Sequence, residues 1–395
     1  MSNNPIAKDD THETNPLSGV DRNSFRWDTI QKLTYRANAG IPGAQAELNY
    51  RLHDCVALPL PGLNGETLCL TGYTALHQKA EELNTFYEKV PVHHGHKEII
   101  LLDAWSSATI EGARTTVEQV KQSFIDPKTK DDRMVVNAIA GCNYAYGRPI
   151  TDKNIRTLWN KVVDGVCENE GHKGAKYRSG MVFIGSADRL IHEPAIPEQI
   201  PELMAKLFAY CETDTDNLLI RSFVAHFYFV YVHPFCDGNG RTARILNASQ
   251  LYHGGYKKMK ALPLANSINH QLRGYYNTLS DAETVQNGAV FSDATAAGWL
   301  DLSPFVFYML DVFERCLTDA ALAKNRLSES EQRLLRRMNK AGFHAEITTK
   351  KAAEILQRSE SVARAVLKGL TVKGYLSVDT SKTPFIYRLQ QHFVE

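Results

Sequence analysis

The chain has 395 residues, 43% of them hydrophobic, and its 45 Lys and Arg nearly balance its 44 Asp and Glu, for a net charge of +1. That length exceeds one ordinary core and predicts two or three domains, while the charge balance excludes a global field toward nucleic acid or anionic membrane and leaves any such binding to a local patch. Seven scattered cysteines (Cys55, Cys69, Cys142, Cys167, Cys211, Cys236, Cys316) include no C-x-x-C pair, which argues against a disulfide framework and a structural zinc site and predicts a reducing, cytoplasmic compartment.

Residues 1–20 are polar, lack the basic and apolar regions of a signal peptide, and read as a loose arm. From Trp27 to Leu52 apolar positions recur at helical spacing, broken by Gly40-Ile41-Pro42-Gly43, and Leu58-Pro59-Leu60-Pro61-Gly62 ends the segment. Helices are expected over Thr74 to Val90 and Lys97 to Phe124. The histidines between them, His93, His94 and His96, have no Cys or carboxylate at ligand spacing, so a metal is rejected there.

Within the second helix, Ser107 and Glu111 are four residues apart and share a face, with Gly112 following. Spacing alone favours a surface glutamate beside a helix-weakening glycine. Further helices are expected around Val135 to Cys142 and Thr151 to Val166, with Thr151 as N-cap. Two β-prone runs, Tyr177 to Ile184 and Leu190 to His192, read as a hairpin, followed by a helix over Glu202 to Cys211. Asn217 to Val232 is β-prone in composition, but its length and the interspersed Arg221 and His226 favour a buried helix. Thr242 to Tyr252, Asn269 to Leu279 and Trp299 to Leu322 complete an α-rich body. The last segment, 328–395, reads as three helices and a small hairpin, a winged helix-turn-helix pattern.

The stretch His233-Pro234-Phe235-Cys236-Asp237-Gly238-Asn239-Gly240-Arg241-Thr242-Ala243-Arg244 concentrates the chemistry. His233 follows a buried helix and its ordinary pKa suits a general base. Gly238, Asn239 and Gly240 can turn backbone N–H groups inward, and the next helix adds the positive end of its dipole, making an anion nest. Arg241 and Arg244 supply charge for phosphates, and Asp237 can hold Mg²⁺ bridging phosphate oxygens. A nucleoside triphosphate fits this set. Rivals fail on spacing: Cys236 and Arg241 stand one residue too close for a phosphatase loop, the twelfth position of an EF-hand starting at Asp237 is Ala248, and no Walker A sequence occurs.

This stretch resembles the signature of the Fic family, H-P-F-x-[DE]-G-N-G-R-x-x-R, at every specified position. The resemblance extends over about residues 97–317. The Tyr177 to His192 hairpin resembles the family's flap, Tyr275 and Tyr276 its paired tyrosines near the nucleotide base, and Ser107 to Gly112 its inhibitory pattern [ST]-x-x-x-E-[GN]. It implies a mainly α fold: an arm (1–20), an N-terminal helical region with the inhibitory helix (21–125) and a catalytic core (126–325), followed by the winged helix-turn-helix segment (328–395). It also implies transfer of AMP from ATP to a Ser, Thr or Tyr hydroxyl of a target protein. His233 would be the base, Asp237 the Mg²⁺ ligand, and Gly238, Asn239, Gly240 and Arg241 the phosphate site. Arg244 would face either the γ-phosphate or Glu111, and Val182 or Ile184 would clamp the target at the flap. Removal of AMP through Glu111 is the alternative outcome of the same site. A DNA-binding regulator is the other class, resting on the mildly basic 328–395 segment with Arg364, Lys368 and Lys373 on its candidate recognition helix; no membrane partner is expected, and a homodimer is left open.

Overall fold

A computed structural model describes residues 25, 28–90, 96–167, 177–186, 189–214, 216–282, 298–323, 328–340, 346–373 and 375–389. The expected arm and His93 and His94 lie outside these residues. The chain divides into two compact units, Met1–Leu317 and Thr318–Glu395. No helix among the described residues is long and apolar enough to cross a membrane.

The fold is mainly α. Unit one runs α1 (Ile30–Asn38), α2 (Ala44–His53), β1 (Cys55–Pro61), β2 (Thr67–Thr71), α3 (Tyr73–Lys89), α4 (His96–Ile110), α5 (Val117–Ser123), α6 (Lys130–Ala145) and α7 (Asp152–Val163). It continues with β3 (Ile184–Ser186), β4 (Arg189–His192), α8 (Ile200–Glu212), α9 (Leu218–Val232), α10 (Asn239–His253), α11 (Leu264–Asn269), α12 (Leu272–Ala282), β5 (Trp299–Asp301) and α13 (Ser303–Ala323).

The β-prone run is the central helix, α9. Apart from its ends almost every side chain is buried, the pattern of a helix enclosed on all sides. Asn217 caps it by accepting from the Leu219 N–H. It stops at His233 because Pro234 disfavours helical backbone in the residue before it; His233 instead takes a left-handed conformation with φ of 52°. Helix α10 packs against α9, α6, α7 and α4, so its N-terminus opens between the end of α9 and the end of α4.

Four expectations need correction. Lys97 to Phe124 is two helices: α4 ends at Ile110, Gly112 takes a φ of 88° that a side chain would resist, and α5 begins anew with a Thr116–Gln119 capping box. Trp299 starts a strand rather than a helix. That strand, β5, pairs in parallel with β2, which pairs antiparallel with β1, although Leu58 to Gly62 reads as a terminator. Thr71 and Asp301 tie the small sheet together through a 2.9 Å hydrogen bond. Finally, α10 starts at Asn239, so Asn239, Gly240 and Arg241 form its first turn instead of a loop.

In unit two the expected helices are present as α14 (Glu329–Lys340), α15 (Thr349–Leu356) and α16 (Glu360–Val372). Strands β7 (Leu376–Asp379) and β8 (Ile386–Leu389) form the expected hairpin, joined by an unexpected two-residue strand β6 (Glu346–Ile347) in the order β6-β8-β7. Leu334, Leu335, Leu367, Leu370, Leu376 and Tyr387 share one apolar core, and Glu331 pairs with Lys373 at its edge at 2.7 Å.

Candidate active site

The site begins at the C-terminal end of α9. His233 Nδ1 lies 3.2 Å from the carbonyl oxygen of Val230. That carbonyl only accepts, so Nδ1 carries the proton and Nε2 keeps a lone pair. Burial, with His192 and Arg178 nearby, lowers the imidazole pKa to about 4, against the opposing pull of the Val230 bond and Glu111. His233 is therefore a neutral base at pH 7, weaker than its ordinary pKa suggests.

The turn after it is fixed from below. Phe235 stacks on Trp159 of α7 with ring centroids 4.3 Å apart and planes within 5°, and Trp159 Nε1 donates to the Asp237 carbonyl at 2.7 Å. Asn239 is buried and spends its amide on Phe235, accepting from its N–H at 3.1 Å and donating to its carbonyl at 2.8 Å. The Asn239 side chain thus shapes the turn; only its backbone remains for a phosphate. Helix geometry leaves the first N–H groups of α10, those of Asn239, Gly240 and Arg241, without intrahelical acceptors.

Asp237 is half-exposed, with Oδ1 accepting from the Gly238 N–H at 2.5 Å and from Arg241 Nη2 at 3.2 Å. Its Oδ2 lies outside these bonds. Arg241 is buried and also donates to the Val162 carbonyl at 3.3 Å. No group of three or more His, Cys, Asp or Glu suited to a metal occurs among the described residues. A single half-exposed carboxylate fits Mg²⁺ in the manner of a site completed by substrate phosphates and water, and does not fit an all-protein cage.

Arg244 lies one turn further along α10 and reaches α4. Its Nε donates to Ser107 Oγ at 2.9 Å, and Nη2 donates to the Ser107 carbonyl at 2.9 Å and to Glu111 Oε1 at 2.7 Å. Nη1 is buried without a partner. The Glu111 oxygen stands 2.3 Å from where a Cβ on residue 240 would be, so glycine there is what lets the carboxylate rest on the first turn of α10. Burial pushes the Glu111 carboxyl up, but Arg244, Arg241 and His233 outweigh it and hold it below the usual carboxylate range. Glu111 therefore already occupies the anion-attracting helix end.

The two tyrosines separate. Tyr275 is buried, bonded to His226 at 2.9 Å and packed among Phe305 and Tyr308, which leaves its ring no free face for a nucleotide base. Tyr276 is half-exposed and donates to the Ile110 carbonyl at 3.0 Å, beside Gly112 and the end of α4. The hairpin pairs Ile184 with His192, and Val182 lies just before β3. Both are partly exposed, next to the exposed Met181, Phe183, Leu190 and Ile191.

Arg178 escaped the sequence reading. It is buried, and its guanidinium donates to the carbonyls of His233 (2.8 Å), Gly180 (2.9 Å) and Ala195, while its N–H bonds the Pro234 carbonyl at 3.0 Å. His192 adds a 2.6 Å bond to the Tyr231 carbonyl. These two residues join the hairpin to the end of α9. Backbone acceptors leave no motif, so no sequence signal identifies this clamp.

The arrangement offers a neutral base at the end of α9 and, in the turn after it and the first turns of α10, unpaired helix N–H groups, two buried arginines and a half-exposed carboxylate. Residues 149–251, from just before α7 to near the end of α10, match the model of the Fic/DOC family. The chain is 25% identical over 300 residues to the protein adenylyltransferase Fic of Drosophila grimshawi, covering 71% of this chain and 56% of that protein. With the corresponding protein of Drosophila melanogaster it shares 25% over 286 residues, covering 68% and 52%. The chain thus spans about half the length of these relatives. The crystal structure of a Fic family protein from Desulfovibrio desulfuricans superposes with a TM-score of 0.53 at 22% identity, covering 82% of this chain and 97% of that one, a likeness of fold.

Proposed function

We propose that this chain, whose residues 149–251 match the Fic/DOC family model and which is 25% identical to a protein adenylyltransferase Fic, transfers AMP from ATP to a Ser, Thr or Tyr hydroxyl of a target protein, with Glu111 holding the resting site inhibited. The observation that carries the reading is the position of His233: Nδ1 is committed to Val230, leaving Nε2 free beside the N-terminus of α10. His233 Nε2 takes the proton of the target hydroxyl as its oxygen bonds the α-phosphorus. The bond from that phosphorus to the β-phosphate oxygen breaks, and pyrophosphate leaves. The N–H groups of Gly240 and Arg241 receive phosphate oxygens, and Arg244 offers its unpartnered Nη1 to the γ-phosphate. Asp237 would hold Mg²⁺, which when bound neutralises charge on the phosphates.

Regulation follows from competition for Arg244 and the space over Gly240. A γ-phosphate and the Glu111 carboxylate carry like charge and cannot share that helix end. Exposed Met181, Phe183, Leu190 and Ile191 on the hairpin give a target an apolar edge beside Val182 and Ile184, where an extended segment adds as a strand.

The test is incubation with α-labelled ATP and Mg²⁺, comparing the wild type with His233→Ala and Glu111→Gly. Label moves to protein, most strongly in Glu111→Gly, and is lost in His233→Ala. Label transfer that survives His233→Ala overturns the mechanism.

A further inference from the structure

Cys236 occupies the unspecified position of the His233 to Arg244 stretch, so the phosphate chemistry does not demand a thiol there. Its Sγ lies 3.9 Å from that of Cys167, just beyond α7, and both residues are partly exposed. We propose that Cys167 and Cys236 form a redox-sensitive pair that closes to a disulfide and restrains the turn carrying the candidate base.

The oxidant class is a hydroperoxide. One thiolate attacks a peroxide oxygen, the O–O bond breaks, and a sulfenic acid and water result. The second sulfur then attacks the sulfenic sulfur, the S–O bond breaks, and a second water leaves. In sum two thiols and one hydrogen peroxide give one disulfide and two waters. Cys69 and Cys55 also interact, but Cys69 is buried in the β1–β2 sheet, away from peroxide.

Closure matters because the turn has little slack. A disulfide needs its sulfurs about 2 Å apart, so the pair must approach by about 2 Å. Cys167 is held by its N–H bond to the Val163 carbonyl at 3.2 Å. Cys236 sits between Phe235, stacked on Trp159, and Asp237, whose carbonyl accepts from that same tryptophan. Drawing Cys236 toward Cys167 therefore moves Asp237 relative to Arg241 and the N-terminus of α10.

The experiment treats the full chain with hydrogen peroxide, alkylates the remaining thiols and maps the peptides, using the wild type, Cys167→Ser, Glu111→Gly and Glu111→Gly with Cys167→Ser. The expected result is a Cys167–Cys236 linked peptide, reversed by dithiothreitol and absent from both Cys167→Ser proteins. Label transfer from ATP in Glu111→Gly should fall by about tenfold or more on oxidation and stay level when Cys167 is also replaced. Cysteines that all remain alkylatable, or a Cys236 oxidised while Cys167 stays free, overturn the pair. A link that forms without changing label transfer overturns the restraint of the turn. The peptide map is independent of the transferase reading: a linked peptide in a protein that never transfers label supports the thiol pair and counts against the transferase.

Discussion

Glu111 and Arg244 stand 2.7 Å apart, and the same carboxylate lies where a side chain on residue 240 would have to begin. One glutamate thus engages both the cation and the backbone end that an incoming triphosphate would need. Replacing it by glycine removes both obstructions. Coupling between competing ligands is commonly worth about 5- to 150-fold, and Glu111→Gly is expected to raise label transfer from ATP within that range. Glu111→Gln, which keeps the size but loses the charge, should fall between. Equal rates in all three proteins would remove Glu111 from regulation.

The carbonyls of His233, Gly180 and Ala195 all depend on Arg178. Arg178→Ala strands these acceptors, at about 1–3 kcal/mol for each that water does not reach, and frees the hairpin from the end of α9. Thermal unfolding should report the loss, and label transfer should fall with it. Arg178→Lys should rescue little, because one ammonium cannot span three acceptors with a guanidinium's fixed fork. Full rescue by lysine would mean that charge alone suffices.

The same residue marks the limit of reading the sequence. His233 to Arg244 stands out as a candidate site in the sequence because its imidazole, carboxylate and cations are contiguous side chains, and Glu111 because a short pattern accompanies it. Arg178 works through backbone carbonyls that any residues would supply. The β2–β5 pairing joins Thr67 to Trp299, so no local window contains it. Tyr275 and Tyr276 are adjacent in sequence, yet the turn of α12 sends the first into the core and the second toward α4. Helix α9 was read correctly because its length outweighed its β-prone composition.

His233 gives a pH prediction. Its pKa falls from about 6.5 in the unfolded chain to about 4 in the fold. Between these values the unfolded chain binds more protons, so this group's contribution to stability is fully present above about pH 6.5 and is lost as pH falls through about 4. Label transfer should accordingly show no loss near pH 6 attributable to His233. The imidazole C–H resonance of His233, assigned with His233→Ala, should titrate near pH 4. A midpoint at the ordinary value would mean that water reaches the ring freely.

Asp103 gives the opposite slope. It lies on α4 two turns before Glu111, with Ser107 between, and its Oδ1 accepts from the N–H groups of Ala265 at 2.6 Å and Asn266 at 3.3 Å in the first turn of α11. Burial pushes its carboxyl up to about 7, against those two N–H bonds and Arg244, which pull it down. The fold therefore binds the extra proton between about pH 4 and 7, and this contribution to stability, complete below about 4, is lost as pH rises through about 7. Asp103→Asn keeps an acceptor for α11 and abolishes the titration, so unfolding temperatures should rise more from about pH 5 to pH 7 than in the wild type. Asp103→Ala strands the α11 N–H groups and should destabilise by about 1–3 kcal/mol at any pH. Because Asp103 anchors the helix that carries Glu111, the alanine variant should also raise label transfer, while the asparagine variant should leave it near the wild-type rate. Equal label transfer in the two variants would show that the anchor has no hold on the Glu111 position.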